Sequence, residues 1–244
     1  MNFAKQHTIG KVTPKGKAEQ YIELSNGSIG NGIVFDPKGF MYIADYTNHN
    51  VLQVDPMTRI ISCPQCDYKQ PNDLAIAADG TSYASDPNWK QSTGQLWRVD
   101  KYGKTTKLAS GMGTTNGIEV IPDGKTLYVN ESVQRTVWAF SITPERMLTN
   151  KRLLKQFPDY GFDGMRCDVD GNLHITRHGK GSVVKMSPEG QVLKEISVLG
   201  SIPSNLCFGG PDGRMVCSME VEYTRLVQFR VDRPRLARER WPGR

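Results

Sequence analysis

Short apolar runs bounded by turn residues recur along the chain in one register. Five segments align without gaps in their first half: NGIVFDPKGFMYIAD from Asn31, NDLAIAADGTSYASD from Asn72, NGIEVIPDGKTLYVNE from Asn116, DGMRCDVDGNLHITR from Asp163 and NLCFGGPDGRMVCSM from Asn205. Their starts lie 41, 44, 47 and 42 residues apart. A glycine falls eight residues after each start, at Gly39, Gly80, Gly124, Gly171 and Gly213, and four of these five follow an aspartate. Asp-Gly between apolar runs marks a hairpin, so each unit predicts a strand, a tight turn and a second strand. In the first unit Ile33 and Phe35 are expected to point inward, and residues 40–44 to form the second strand. A third strand follows in NVLQVDP, GQLWRVD, TVWAFSI, SVVKMSP and RLVQFRVD, and a weaker fourth in segments such as TRIISC and TKLAS.

Four short antiparallel strands every 40 to 47 residues describe a propeller blade, whereas a β-sandwich would not hold five repeats in register. Ahead of Asn31, HTIGKVTPKGKAEQYIEL matches the third and fourth strands of a blade, with no inner pair before it. The expected fold is therefore an all-β, six-bladed β-propeller with four-stranded antiparallel blades whose first blade lacks its inner strand pair. Residues 1–232 would form this single domain and 233–244 a disordered basic tail. Either upstream residues supply the absent pair, or the N-terminal strands dock beside those ending at Asp232; the first is the expectation adopted.

Charge changes little in this picture. The formal net charge is +6, but residues 230–244 hold six arginines against Asp232 and Glu239, which leaves the body near neutral. A nucleic-acid surface needs a clustered basic face, and only the tail has part of one, so no nucleic acid is expected. No apolar run is long enough to span a membrane, and the first 20 residues have no apolar h-region, so a cytoplasmic protein without membrane contact is expected. The five cysteines, Cys63, Cys66, Cys167, Cys207 and Cys217, have no disulfide-framework spacing. Cys63 and Cys66 form a CxxC with no second ligand pair and no βαβ surround, which favours loop cysteines.

Candidate chemistry comes from the repeat itself. In a propeller the first strand of each blade lines the central channel, so Asn31, Asn72, Asn116, Asp163 and Asn205 should meet around one mouth. Amide oxygens with one carboxylate suit a hard cation such as Ca²⁺; the competing reading is that asparagine caps each strand-entry turn. Asp45, Asp86 and Glu131 share a later repeat position, where they add acidity at the mouth or cap turns. His178 follows the second strand of its unit and is a candidate to reach the mouth, as a base or as a solvent-facing loop histidine. No GxSxG, GxxxxGK[ST] or HExxH motif is present.

Pro71-Asn72-Asp73-Leu74 with Tyr83-Ala84-Ser85-Asp86-Pro87, Thr115-Asn116-Gly117, Phe162-Asp163-Gly164-Met165 and Cys207-Phe208-Gly209-Gly210 together resemble the gluconolactonase/regucalcin/luciferin-regenerating family. The resemblance runs from about Ile9 to Asp232, and the diisopropyl fluorophosphatase propeller is similar in its metal ring. It implies a channel metal, Ca²⁺ or another divalent ion such as Zn²⁺, Mn²⁺ or Mg²⁺, and hydrolysis of a small sugar-derived lactone. Asn116 and Asp163 match family metal ligands, and Asn72 an asparagine that binds metal or substrate. The family's first-blade glutamate has no counterpart, and Gln70 stands where some members carry a substrate-binding arginine. The resulting expectation is a metal-dependent lactonase with Asp163 and Asn72 catalytic, Asn72, Asn116 and Asp163 on the metal, and Gln70, Asn31, Asn205 and His178 toward substrate. Asp163 would activate water or act as nucleophile, and its activity would be impaired if the first blade is incomplete. The alternative is a propeller that binds a ligand or protein partner without catalysis.

Overall fold

The hairpin glycines set the blade geometry. Gly39, Gly80, Gly124, Gly171 and Gly213 all have positive φ, between 69° and 91°, where a side chain would be strained. The computed structural model describes residues 2–3, 7–13, 15–36, 38–55, 57–58, 61–62 and 68–235. Every element among them is a strand.

Strands β1 (Asn2–Phe3), β2 (Thr8–Val12) and β3 (Ala18–Glu23) form a three-stranded antiparallel sheet. The next sheet holds β4 (Gly30–Phe35), β5 (Met41–Asp45), β6 (Asn50–Val54) and β7 (Ile61–Ser62); the next β8 (Leu74–Ile76), β9 (Ser82–Asn88), β10 (Thr93–Val99) and β11 (Thr105–Met112). After them come β12 (Thr115–Val120), β13 (Thr126–Glu131), β14 (Thr136–Ile142) and β15 (Leu148–Gln156), then β16 (Met165–Cys167), β17 (Leu173–Arg177), β18 (Ser182–Met186) and β19 (Val192–Ser197). The last sheet is three-stranded: β20 (Pro203–Gly209), β21 (Met215–Glu220) and β22 (Arg225–Arg230).

This is an all-β propeller, but of five blades, those headed by β4, β8, β12, β16 and β20, not six. The expectation of six blades is corrected because β2 and β3 pair with each other and, ahead of them, only with the two-residue β1. That partial sheet has no inner strand and does not pair with β22, so the mixed-strand closure is also not seen among the described residues.

Side chains from successive sheets interlock into apolar layers. Ile9, Ile22 and Leu24 pack on Met41 and Ile43; Val34, Ala44 and Val51 on Leu74 and Ala84; Tyr83 and Leu96 on Ile118 and Leu127; Tyr128 and Val137 on Met165 and Ile175; and Val183 on Leu206 and Val216. Truncating one fully enclosed leucine in such a layer typically costs about 2–5 kcal/mol. Phe35 does not join them. It is 45 % exposed, a correction to its expected inward orientation: β4 buries Gly30, Gly32 and Val34 instead.

The departure from strict alternation has a cause that positions the site. In β4 the pairs Gly30↔Asp45 and Ile33↔Ile43 leave Asn31 and Gly32 opposite the single residue Ala44, which is a β-bulge. Asn116 and Gly117 likewise face Asn130, and Ser204 and Asn205 face Met219. Ahead of β8 and β16 the same two-against-one arrangement recurs: Ser85 bonds both Asn72 and Asp73, and Thr176 both Asp163 and Gly164. A bulge at the entry of every inner strand breaks the alternation there and re-aims the polar residue it carries.

The segment Asp232–Arg235 returns to the fourth blade. Asp232 meets Lys185 at 2.8 Å, Val169 donates its N–H to the Pro234 carbonyl, and Arg235 approaches Glu119 at 3.7 Å. The tail from residue 236 onward, and the pair Cys63 and Cys66, lie outside the described residues; none of Cys167, Cys207 and Cys217 is in a disulfide.

Candidate functional site

The bulged entries open on a cavity of about 640 Å³ at one end of the channel. Asn31, Asn72, Asn116, Asp163 and His178 all line it. Asn72 and Asn116 are 6 % and 3 % exposed, and their backbones are tied into the blade edges by the bulge bonds. Neighbouring entries are stitched together as well: Gly32 donates its N–H to the Asn72 carbonyl and Gly117 to the Asp163 carbonyl. A Cβ at Gly117 would collide with that carbonyl and with Asn130, so only glycine permits this approach.

Two candidates fall outside the cavity wall. Gln70 is held through its backbone N–H by the Asp86 carboxylate, and its side chain does not border the cavity. Asn205 bends back so that its Oδ1 accepts from the N–H of Leu206 at 2.8 Å, and it packs against Gly164. The carboxylates at the later repeat position cap turns. Asp45 accepts from Ser28 Oγ and from the N–H groups of Thr47 and Asn48, and Asp86 from Lys69, Gln95 and Trp97. Glu131 accepts from Gly113 N and from Thr136 Oγ1.

Among the described residues Asp163 is the one carboxylate on the cavity wall. It is partly accessible there but closely surrounded by protein, and this desolvation lifts its carboxyl from the usual range to about 8. Repulsion from Asp73 adds to the shift, while the Asn116 side chain and the Gly164 N–H offset part of it. Asn116 donates from Nδ2 to Ser132 Oγ at 3.0 Å, and its Oδ1 is buried with no hydrogen-bond partner. A buried acceptor without a donor is costly, and Asn116 Oδ1 is one of several such atoms among the described residues.

Behind the wall the charges are matched. Asp73 replaces the glycine that follows the entry residue in three other blades, and its carboxylate takes both ends of the Arg166 guanidinium, at 2.8 and 3.2 Å. Both side chains are almost fully enclosed, 1 % and 3 % exposed. Arg166 also lies 4.0 Å from Glu119.

The rest of the wall comes from positions that repeat reading passed over. Tyr46, Trp89, Ser132, Val133 and Arg135 stand in the turns between second and third strands, the same place as His178. Tyr160, Gly161 and Phe162 come from the connection ahead of β16. The one available signal was positional: each of the first group lies just beyond the capping residue of its repeat, as Tyr46 follows Asp45. Arg177, 1 % exposed, holds the 157–162 connection by bonding Asp159 at 2.7 Å and stacking over Phe157 at 4.3 Å.

Residues that could hold a cation are Asn72, Asn116 and Asp163. The unpartnered Oδ1 of Asn116 and the desolvated Asp163 carboxyl fit a hard ion that takes oxygen ligands. Among the described residues no group of three or more His, Cys, Asp or Glu side chains could hold a metal, so any such site carries little negative charge.

Fold and cavity together describe a β-propeller with a polar-lined cavity at the channel mouth. The chain belongs to the SMP-30/Gluconolactonase/LRE-like family, whose sequence profile matches residues 4–218. It is 29 % identical over 230 residues to a gluconolactonase of Zymomonas mobilis, covering 81 % of this chain and 63 % of that protein. It is 24 % identical to a 6-deoxy-6-sulfogluconolactonase of Pseudomonas putida, covering 88 % of this chain and 66 % of the relative. The chain thus spans just under two thirds of these relatives' length. The fold is shared with a calcium-binding regucalcin of Agrobacterium tumefaciens, at a TM-score of 0.79 and 18 % identity over 96 % of this chain and 87 % of that one. A gluconolactonase of Xanthomonas campestris superposes with a TM-score of 0.76 at 20 % identity, over 91 % and 78 % of the two chains. Among the described residues no helix is long and apolar enough to cross a membrane.

Proposed function

We propose that this protein hydrolyses a small sugar-derived lactone with the help of a divalent cation, most simply Ca²⁺, held by Asn72, Asn116 and Asp163. The observation that carries the reading is the unpartnered Asn116 Oδ1 in the same cavity as the desolvated Asp163 carboxyl. The ion would supply positive charge where the lactone carbonyl oxygen becomes an oxyanion. Gluconolactonase and sulfogluconolactonase relatives support the reaction class, and a calcium-binding regucalcin of the same fold supports the ion. The lactonase relatives weigh against the non-catalytic alternative, which the missing first-blade glutamate and Gln70 would favour.

The chain's own residues have distinct tasks in this scheme. Asp163 takes the proton of the attacking water on a carboxylate oxygen, which requires its ionised form. Burial holds that carboxyl up, to about 8, and a neighbouring positive charge would bring it down, so a bound cation would favour the base form. Asn31 and Asn72 hold the lactone through amide donors and acceptors, and Trp89, Tyr46 and Tyr160 give flat walls for a sugar ring. His178 and Arg135 are the basic groups of the wall and face the polar substituents of the substrate.

The test is hydrolysis of aldonolactones by the purified protein before and after chelation, with calcium restored at millimolar concentration. Turnover that is lost on chelation and regained with calcium supports the proposal. Absence of turnover on every aldonolactone with calcium present overturns it.

A further inference from the structure

We propose that Ser132 is a positioning residue that fixes which end of the Asn116 amide is held by the chain and which is left without a partner. The inference deepens the reading of Asn116 as an oxygen offered to a ligand, and rests on it. An asparagine amide has two ends of similar size and opposite chemistry: Nδ2 only donates and Oδ1 only accepts. Nothing in the shape of the side chain chooses between them, so the choice must come from its neighbours.

Ser132 makes that choice together with Asp163, whose carboxyl also takes a hydrogen bond from the Asn116 side chain, and it does so because its hydroxyl has a single proton. Ser132 Oγ donates to the carbonyl of Phe162 at 2.6 Å, which commits the proton. What remains toward Asn116, 3.0 Å away, is a lone pair, and a lone pair can only be met by Nδ2. The amide is therefore held with its donor end on Ser132 and its oxygen free and buried. Turning the amide over would set two acceptors, Asn116 Oδ1 and the Phe162 carbonyl, against one proton. One buried acceptor would then be unsatisfied, and an NH₂ group would face the place a cation or a carbonyl-polarising charge must occupy.

The far end of the relay is rigid. Phe162 is 1 % exposed, its ring packs edge-on against Phe157 with centroids 5.2 Å apart, and the buried Arg177 guanidinium lies 5.3 Å from it. Ser132 itself is fixed by its N–H bond to the Thr114 carbonyl. The carbonyl that takes the Ser132 proton thus has no freedom to release it, and the orientation passes from the 157–162 connection through one hydroxyl to the amide.

Two measurements test the lock. In metal-free, ¹⁵N-labelled protein the Asn116 side-chain NH₂ pair, identified by its loss in Asn116→Asp, should exchange slowly with water. It should exchange faster in Ser132→Ala and slowly again in Ser132→Thr, which restores a hydroxyl. In calcium titrations Ser132→Ala should bind about tenfold or more weakly, the loss typical of removing a group that orients a ligand, while Ser132→Thr stays close to wild type. If Ser132→Ala does not fold, Ser132→Cys takes its place, since a thiol keeps the volume but is a poor hydrogen-bonding group. Exchange and calcium binding unchanged in the hydroxyl-free variant would overturn the proposal. Should wild type take up no calcium, the metal reading falls alone: faster exchange in Ser132→Ala still supports the lock, and equal exchange overturns it.

Discussion

At the channel mouth and a few residues deeper along the same inner strands, the protein treats buried polar groups in opposite ways. Asn116 Oδ1 at the mouth has no partner, and Asp163 is desolvated beside another carboxylate. Deeper in, Asp73 and Arg166 satisfy each other through two bonds, with Glu119 and Arg235 extending the alternation of charge. Asp73 and Arg166 are almost fully enclosed, and Asp163 is partly accessible yet closely surrounded by protein, so desolvation acts on all three. The difference is that the deeper groups bring their counter-charge within the chain, whereas the mouth leaves that role open. The ion pair deeper in is thus closed within the chain, whereas Asp163 at the mouth has no ion-pair partner among the described residues.

The comparison would be broken most forcefully at Arg166. Arg166→Met leaves Asp73 charged and unpaired in the interior and should lower unfolding stability by about 3–5 kcal/mol, read from urea denaturation. A loss well under 1 kcal/mol would remove the deeper region from the structural side of the contrast. Asp163→Asn should do the reverse: lactone turnover falling by about 10²–10³-fold, the size expected for removing a group that acts on the reacting centre, with the metal-free fold as stable or more so. Equal turnover in the two proteins would show that Asp163 has no catalytic part.

Proton linkage gives a smaller, graded effect. The folded protein holds a proton on Asp163 up to about pH 8, while the unfolded chain releases it near the ordinary carboxylate value of 3.8. Between those values the folded state binds the extra proton, so this group's contribution makes metal-free stability fall as pH rises and level off above about 8. Asp163→Asn should lack this slope. At the proposed site calcium would displace the same proton, so its affinity should rise about tenfold per pH unit below that value, checked by titration at several pH values. The smallest change belongs to Arg233→Ala. This exposed arginine pairs with the exposed Asp170, and its loss should cost less than about 1 kcal/mol in the same denaturation experiment.

What could be read from the chain alone was whatever repeats or acts locally. The five-fold register, the positive-φ hairpin glycines and the polar residue at each inner-strand entry all recur at fixed spacing, because every blade solves the same local problem. Which entry residues share a wall was settled only by folding. Asn31, Asn72, Asn116 and Asp163 meet there, while Asn205 turns back on its own backbone and Gln70 is held off by Asp86. Asp73 and Arg166 are 93 residues apart, and Ser132 reaches Phe162 across 30, so neither relation leaves a trace in local pattern. The bulges that aim the side chains are a property of paired strands, and the orientation of the Asn116 amide depends on a single proton supplied from another turn. Such features arise from contacts between blades, and a one-dimensional pattern carries no term for them.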